Sequence, residues 1–184
     1  MQASREAFPM PRPDPPRQSP HGSVVLPLRG APLWRPGTCL ELAGRVYEAK
    51  SELHITVLSR AQLAALREAG IDDTLLNRLL SRFRFRFRYR RRLWLLARTG
   101  PEGEEGSLVQ LLRQPEQALL RRGLEAATGV ALGKPVPHLT LYTYRRPEGI
   151  GIPDRESFRR LRRLPLAPST LADRSSLPLR PCPR

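Results

Sequence analysis

Two of the three histidines in the chain stand in the same setting. His54 lies in "LHITVL" and His138 in "PHLTLY", each followed two residues later by a threonine, Thr56 and Thr140. In a strand, residues i and i+2 share a face, so each phrase presents an imidazole beside a hydroxyl, while Ile55, Val57, Leu139 and Leu141 turn the other way into apolar packing. Two imidazoles facing each other across a cleft can do acid–base chemistry without a metal, one neutral and accepting a proton, the other charged and donating one. Displacement at the phosphorus of a ribose phosphate needs that pair: a base for the attacking water or hydroxyl and an acid for the leaving oxygen. The threonine hydroxyls can donate to the nonbridging oxygens as charge develops there.

A single histidine on a strand is more often structural than functional. Here the setting is doubled. Thr occurs eight times in 184 residues, so its chance appearance two places after both histidines has odds of roughly two in a thousand. No acidic cluster or Cys/His set argues for a metal, and no cofactor is expected.

The elements that must hold these phrases read as follows. Residues 1–22 are rich in Pro and Arg without apolar periodicity and are expected to be a disordered arm, with His21 solvated in it. "SVVLPL" suits a short edge strand, because Pro27 cannot donate to a central ladder. "LELAGRVYEA" and "LHITVL", joined through "KSE", are expected to form a hairpin. Ser59 with Gln62 three residues on predicts a capped helix ending at Gly70, and Asp72 or Asp73 caps a second.

"RFRFRFRYRRRLWLLAR" at 82–98 alternates with period two and predicts a strand with Phe83, Phe85, Phe87 and Tyr89 on one face and arginines on the other. "TGPEGEEG" then reads as a hairpin loop, with "SLVQLL" as the return strand. Pro115 opens a helix that closes at Gly129, "HLTLYTY" is a strand, and Asp154 caps "RESFRRLRRL". Two antiparallel lobes follow from this order, over residues 23–164. Residues 165–184 read as a disordered tail.

Composition narrows the setting. The formal charge is +15, and 30 of the 32 basic residues are arginine. Guanidinium forks match phosphate oxygens, so the charge suits a phosphate-bearing partner; a GC-rich genome gives the same bias without one. Cys39 and Cys182 are too few for a disulfide framework or a zinc site, and a reducing compartment is the simplest setting. No signal-peptide core or membrane-length apolar run is present, so a cytoplasmic monomer without membrane contact is expected.

With these elements in place, "HITV" and "HLTL", 84 residues apart, closely resemble the paired H-x-[ST]-x signature of the 2H phosphoesterase superfamily, which includes RNA 2′,3′-cyclic phosphodiesterases and 2′-5′ RNA ligase-like proteins. The resemblance covers roughly residues 24–164. It implies a two-lobed α+β fold whose antiparallel sheets form a central cleft with helices outside, one motif coming from each lobe. His54 and His138 would then be the acid–base pair and Thr56 and Thr140 the phosphate holders. The implied substrates are 2′,3′-cyclic phosphate ends of RNA, or 2′-5′ linked and small cyclic nucleotides, with 2′-5′ ligation as the reverse reaction.

Further residues bear on substrate contact. If the phenylalanines of the alternating run fill the core, Arg84, Arg86 and Arg88 line the cleft or its approach; an ordinary solvated strand face is the alternative. Tyr142 is expected on the face of His138 and Thr140, where it can stack on a base, bond a phosphate oxygen, or merely cover the sheet. "GIGIP" lacks the context of a dinucleotide loop and no phosphate-binding P-loop occurs, so nucleoside-triphosphate hydrolysis is unsupported. The alternative to an enzyme is a noncatalytic basic RNA-binding protein.

Overall fold

The computed structural model describes residues 13–29 and 37–167. Mixed α and β elements are built on a single, mostly antiparallel sheet. Its main path runs β1 (Arg17–Gln18), β2 (Val24–Pro27), β5 (His54–Leu58), β8 (His138–Tyr144), β7 (Gly103–Arg113), β6 (Arg88–Gly100) and β9 (Arg162–Leu166). A hairpin of β3 (Cys39–Leu42) and β4 (Arg45–Ala49) joins this path through β4, which pairs with the end of β8.

Helices α1 (Arg60–Glu68), α2 (Asp73–Ser81) and α3 (Pro115–Thr128) form where their caps are written. Ser59 and Gln62 make the reciprocal capping box, Asp72 caps α2 through Leu75 N, and α3 runs from Pro115 to Gly129 in the left-handed conformation at φ 73°. Leu63, Leu66, Leu76, Leu120 and Leu124 of these helices pack on Ile55, Val57, Leu139 and Leu141 of the sheet. Each fully buried side chain of this size contributes roughly 1.5–3 kcal/mol. On the opposite face a smaller cluster joins Leu96, Val109 and Leu111 to Ile150, Ile152 and Phe158, the last from α4 (Arg155–Arg160).

Several expectations are corrected. The hairpin is not between "LELAGRVYEA" and "LHITVL". The first phrase folds on itself at Ala43 and Gly44, whose φ of 51° and 72° give the two-residue turn that matches strand twist. β4 and β5 instead pair with different stretches of the same side of β8. The alternating run becomes a ladder strand only at Arg88, because its partner β7 ends there: Arg88 pairs with Arg113, and the chain then turns into α3. Residues 83–87 keep the alternation without ladder bonds, with Phe85 and Phe87 buried and Arg84 and Arg86 exposed.

The ends differ as well. Arg17–Gln18, within the expected arm, pair with β2 and so leave β2 inside the edge. Arg162–Leu166, split between the expected helix and tail, pair with β6 as the other edge. Cys39 does not carry a free thiol, which does not match the reduced state expected for it; Cys182 lies outside the described residues. Among the described residues no helix is long and apolar enough to cross a membrane.

Candidate functional site

The two strands that carry the repeated phrase are neighbours. β5 and β8 run antiparallel with Ile55 opposite Leu139, the second residue of each phrase. In an antiparallel ladder that single pair relates the two strands by a local two-fold axis, which carries His54 onto His138 and Thr56 onto Thr140. The same register sets His54 across from Thr140 and Thr56 across from His138. Burial alternates as this requires: Ile55 and Leu139 are fully buried, and all four polar residues are half-buried. The four therefore share the face opposite helices α1–α3. Diagonal positions of this kind stand about 7–8 Å apart, somewhat less between Cβ atoms, which leaves room for a phosphate between the imidazoles.

Neighbouring strands fix the surroundings of each half. On the β8 side, Leu111 stands opposite His138 and Val109 opposite Thr140, both from the smaller apolar cluster. The His138 ring is held at Nδ1, 2.8 Å from the Val136 carbonyl oxygen. A carbonyl can only accept, so Nδ1 carries a proton, and in the neutral ring Nε2 presents its lone pair. Burial pushes the His138 pKa below its ordinary value, with the Val136 bond opposing and the charge of His54 adding to the shift. Gly149, at φ 81°, lets the loop after β8 pass over Thr140: a methyl group there would stand 2.9 Å from Thr140 Cγ2 and 3.3 Å from Ser107 Oγ.

On the β5 side, Pro27 and Val25 stand opposite His54 and Thr56. Burial also lowers the His54 pKa, and the positive charges of Lys50, His21 and Arg17 push the same way against Glu52. Lys50 donates to the Pro147 carbonyl at 2.8 Å, and its own pKa is lowered by burial, with Glu148 and Glu52 opposing. His21, expected to be remote and solvated, thus lies near enough for its charge to bear on His54. The turn of residues 19–22 places it there, held by Ser19 and Ser23 across the β1–β2 connection. Short polar segments give no periodicity, so only the Ser/Gly turn chemistry could have signalled this.

Tyr142 does not join the site. A β-bulge sets Val109 opposite Thr140 but the preceding Leu108 opposite Tyr142, so one extra β8 residue reverses the alternation. Tyr142 is fully buried in the larger core, where its hydroxyl donates to the Gly37 carbonyl at 3.1 Å. Arg86 and Arg88 are exposed and line a groove whose wall includes Pro137 but neither histidine.

Beneath the end of β5 sits a residue that the sequence did not single out. Arg121 is 2% exposed, and its guanidinium donates to the carbonyls of Val57, Leu132 and Pro153 at 3.0, 3.1 and 2.7 Å. Burial lowers its pKa to about 10, with Asp154 and Glu125 opposing. Gln117 adds bonds to the carbonyls of Thr56 and Val57. These donors satisfy β5 carbonyls where the strand ends and α1 begins. Among the described residues no three His, Cys, Asp or Glu side chains stand together as a set that could hold a metal ion. Compared with known proteins, the chain matches no family model, no curated sequence and no solved structure.

Proposed function

We propose that the chain is a metal-independent phosphoesterase of the 2H type, with a site formed by β5 and β8, acting on 2′,3′-cyclic phosphate ends of RNA or on related small cyclic or 2′-5′ linked nucleotides. The observation that carries this reading is the antiparallel register of Ile55 on Leu139, which relates two identical imidazole–hydroxyl pairs by a local two-fold axis on one half-buried face. A tetrahedral phosphate flanked by two such pairs can be approached in line from one side and left from the other.

In the reaction, a water oxygen forms a bond to phosphorus while one ribose oxygen leaves. The neutral imidazole takes the water proton, the protonated imidazole gives a proton to the leaving oxygen, and the product carries a phosphomonoester and a free hydroxyl. His138 suits the base: burial favours its neutral ring, and the Val136 carbonyl holds the proton of that ring on Nδ1, which turns the free lone pair to Nε2. With His138 as the base, His54 is left to supply the acid. Thr56 and Thr140 donate to the nonbridging oxygens. With the 5′ hydroxyl of a second strand attacking the cyclic phosphorus in place of water and the 3′ oxygen leaving, the same residues would join strands through a 2′-5′ bond.

The test is turnover of a 2′,3′-cyclic nucleotide by the full chain in EDTA across a pH series. The reading expects a bell-shaped profile and loss of turnover in both His54→Ala and His138→Ala. RNA binding without turnover of any cyclic or 2′-5′ substrate would instead make the chain a noncatalytic RNA-binding protein.

A further inference from the structure

At the end of the sheet where β6 begins and β7 passes into α3, a groove of about 2200 Å³ opens. Its lining carries eight arginine and lysine side chains against two glutamates, so it attracts anions. Arg86, Arg88 and Arg90 are exposed at alternate positions on one side of an extended segment, about 6.6 Å apart at strand rise. Such a row can follow a chain of phosphates.

Two further features mark the lining as a binding surface. Aromatic rings stand in it: Trp94 and Phe158, both half-buried, pack edge to face at 5.6 Å. Its wall also holds polar groups without partners among the described residues. Gln114 is 4% exposed, yet neither its amide nitrogen nor its amide oxygen is bonded, and the Tyr89 hydroxyl is buried in the same state. Buried polar atoms are almost always paired, and these have no partner among the described residues.

We propose that this groove binds a single-stranded nucleic acid, its phosphates on the Arg86–Arg88–Arg90 row and its unpaired bases against the aromatic rings. Phosphate rows fit the arginine spacing, and exposed bases fit the rings; a duplex offers the first without the second. Val136 and Pro137 belong to the lining, and His138 follows directly, so a strand in the groove would end near the imidazole pair. The choice of RNA over DNA rests on the phosphoesterase reading above, which needs a ribose 2′ oxygen; the groove assignment does not.

The experiment is fluorescence anisotropy of a labelled, unstructured eight-nucleotide RNA with the full chain at several NaCl concentrations. Arg86→Gln/Arg88→Gln is compared with Arg159→Gln/Arg160→Gln, two exposed arginines outside the groove lining. The groove variant should bind at least tenfold more weakly at low salt. Its log–log salt slope should fall by about 1.4, from about 0.7 per lost single-strand phosphate contact. The other variant should stay within twofold of wild type, and a duplex of equal length should bind at least tenfold more weakly than the single strand.

Wild-type affinity and slope in the groove variant would overturn the proposal. So would equal losses in both variants, which would leave only a diffuse field, or polyglutamate binding as tightly as RNA with the same arginine dependence. Groove-dependent RNA binding without turnover would sink the phosphoesterase reading and leave the groove assignment standing.

Discussion

The β5 and β8 halves of the site carry the same three-residue alternation, but the molecule treats them differently. His138 is fastened to the Val136 carbonyl, stands across from Leu111, and has Gly149 pressed over its threonine neighbour. His54 has no such clamp among the described residues and sits instead among the charges of Lys50, His21, Arg17 and Glu52. Identical phrases thus yield one imidazole with a fixed tautomer and one tuned by surrounding charge. The phrase sets which groups are present, and residues outside it set what each can do.

The largest break in this comparison is to remove either imidazole. His54→Ala and His138→Ala should each lower kcat/KM on a 2′,3′-cyclic nucleotide by about 10²–10⁴-fold, and the double variant should fall well short of the product of the two losses, because the residues act as a unit. Steady-state kinetics on the three variants checks this.

Next comes the support under the end of β5. Arg121→Met leaves the carbonyls of Val57, Leu132 and Pro153 without their donor, and should cost about 3 kcal/mol of stability, read by urea unfolding. Gly149→Ala strikes the β8 half alone. The left-handed backbone and the approach to Thr140 Cγ2 make it cost about 1–2 kcal/mol, and kcat should fall with it while the His54 titration stays in place.

Lys50→Met acts on the β5 half alone. Lys50 lowers the His54 pKa, so its loss should raise that pKa toward the ordinary histidine value while His138 moves less, as followed by NMR of the imidazole protons. The smallest effect is on stability. Both histidines titrate lower in the folded chain than unfolded, so below about pH 6.5 the unfolded chain binds more protons. Stability present above that pH should decline as pH falls through the folded values, and His54→Gln/His138→Gln should flatten the decline in pH-dependent thermal melts.

Much of this arrangement can be read from the sequence where the signal is local. Ser59 with Gln62, Asp72, Pro115 and Gly129 mark helix ends by chemistry that acts within four residues, and the period of two marks β5 and β8. Choice of partner is not local. Nothing near "LELAGRVYEA" says that β4 will lie along β8 rather than against β5, and nothing in "HLTLYTY" announces the bulge that turns Tyr142 into the core. The run from Arg82 alternates because its phenylalanines meet the core, but becomes a strand only at Arg88, where β7 offers a partner. Arg121 reads as one more arginine of 30, since its carbonyl partners come from three distant segments.

The most direct test of the paired site is an NMR titration of the imidazole resonances with a 2′-nucleotide monophosphate, the kind of product such a site would release. Signals of His54 and His138 should move together along one saturation curve at one equivalent. Movement of only one, or two curves with different dissociation constants, would mean that the two rings do not flank a single phosphate.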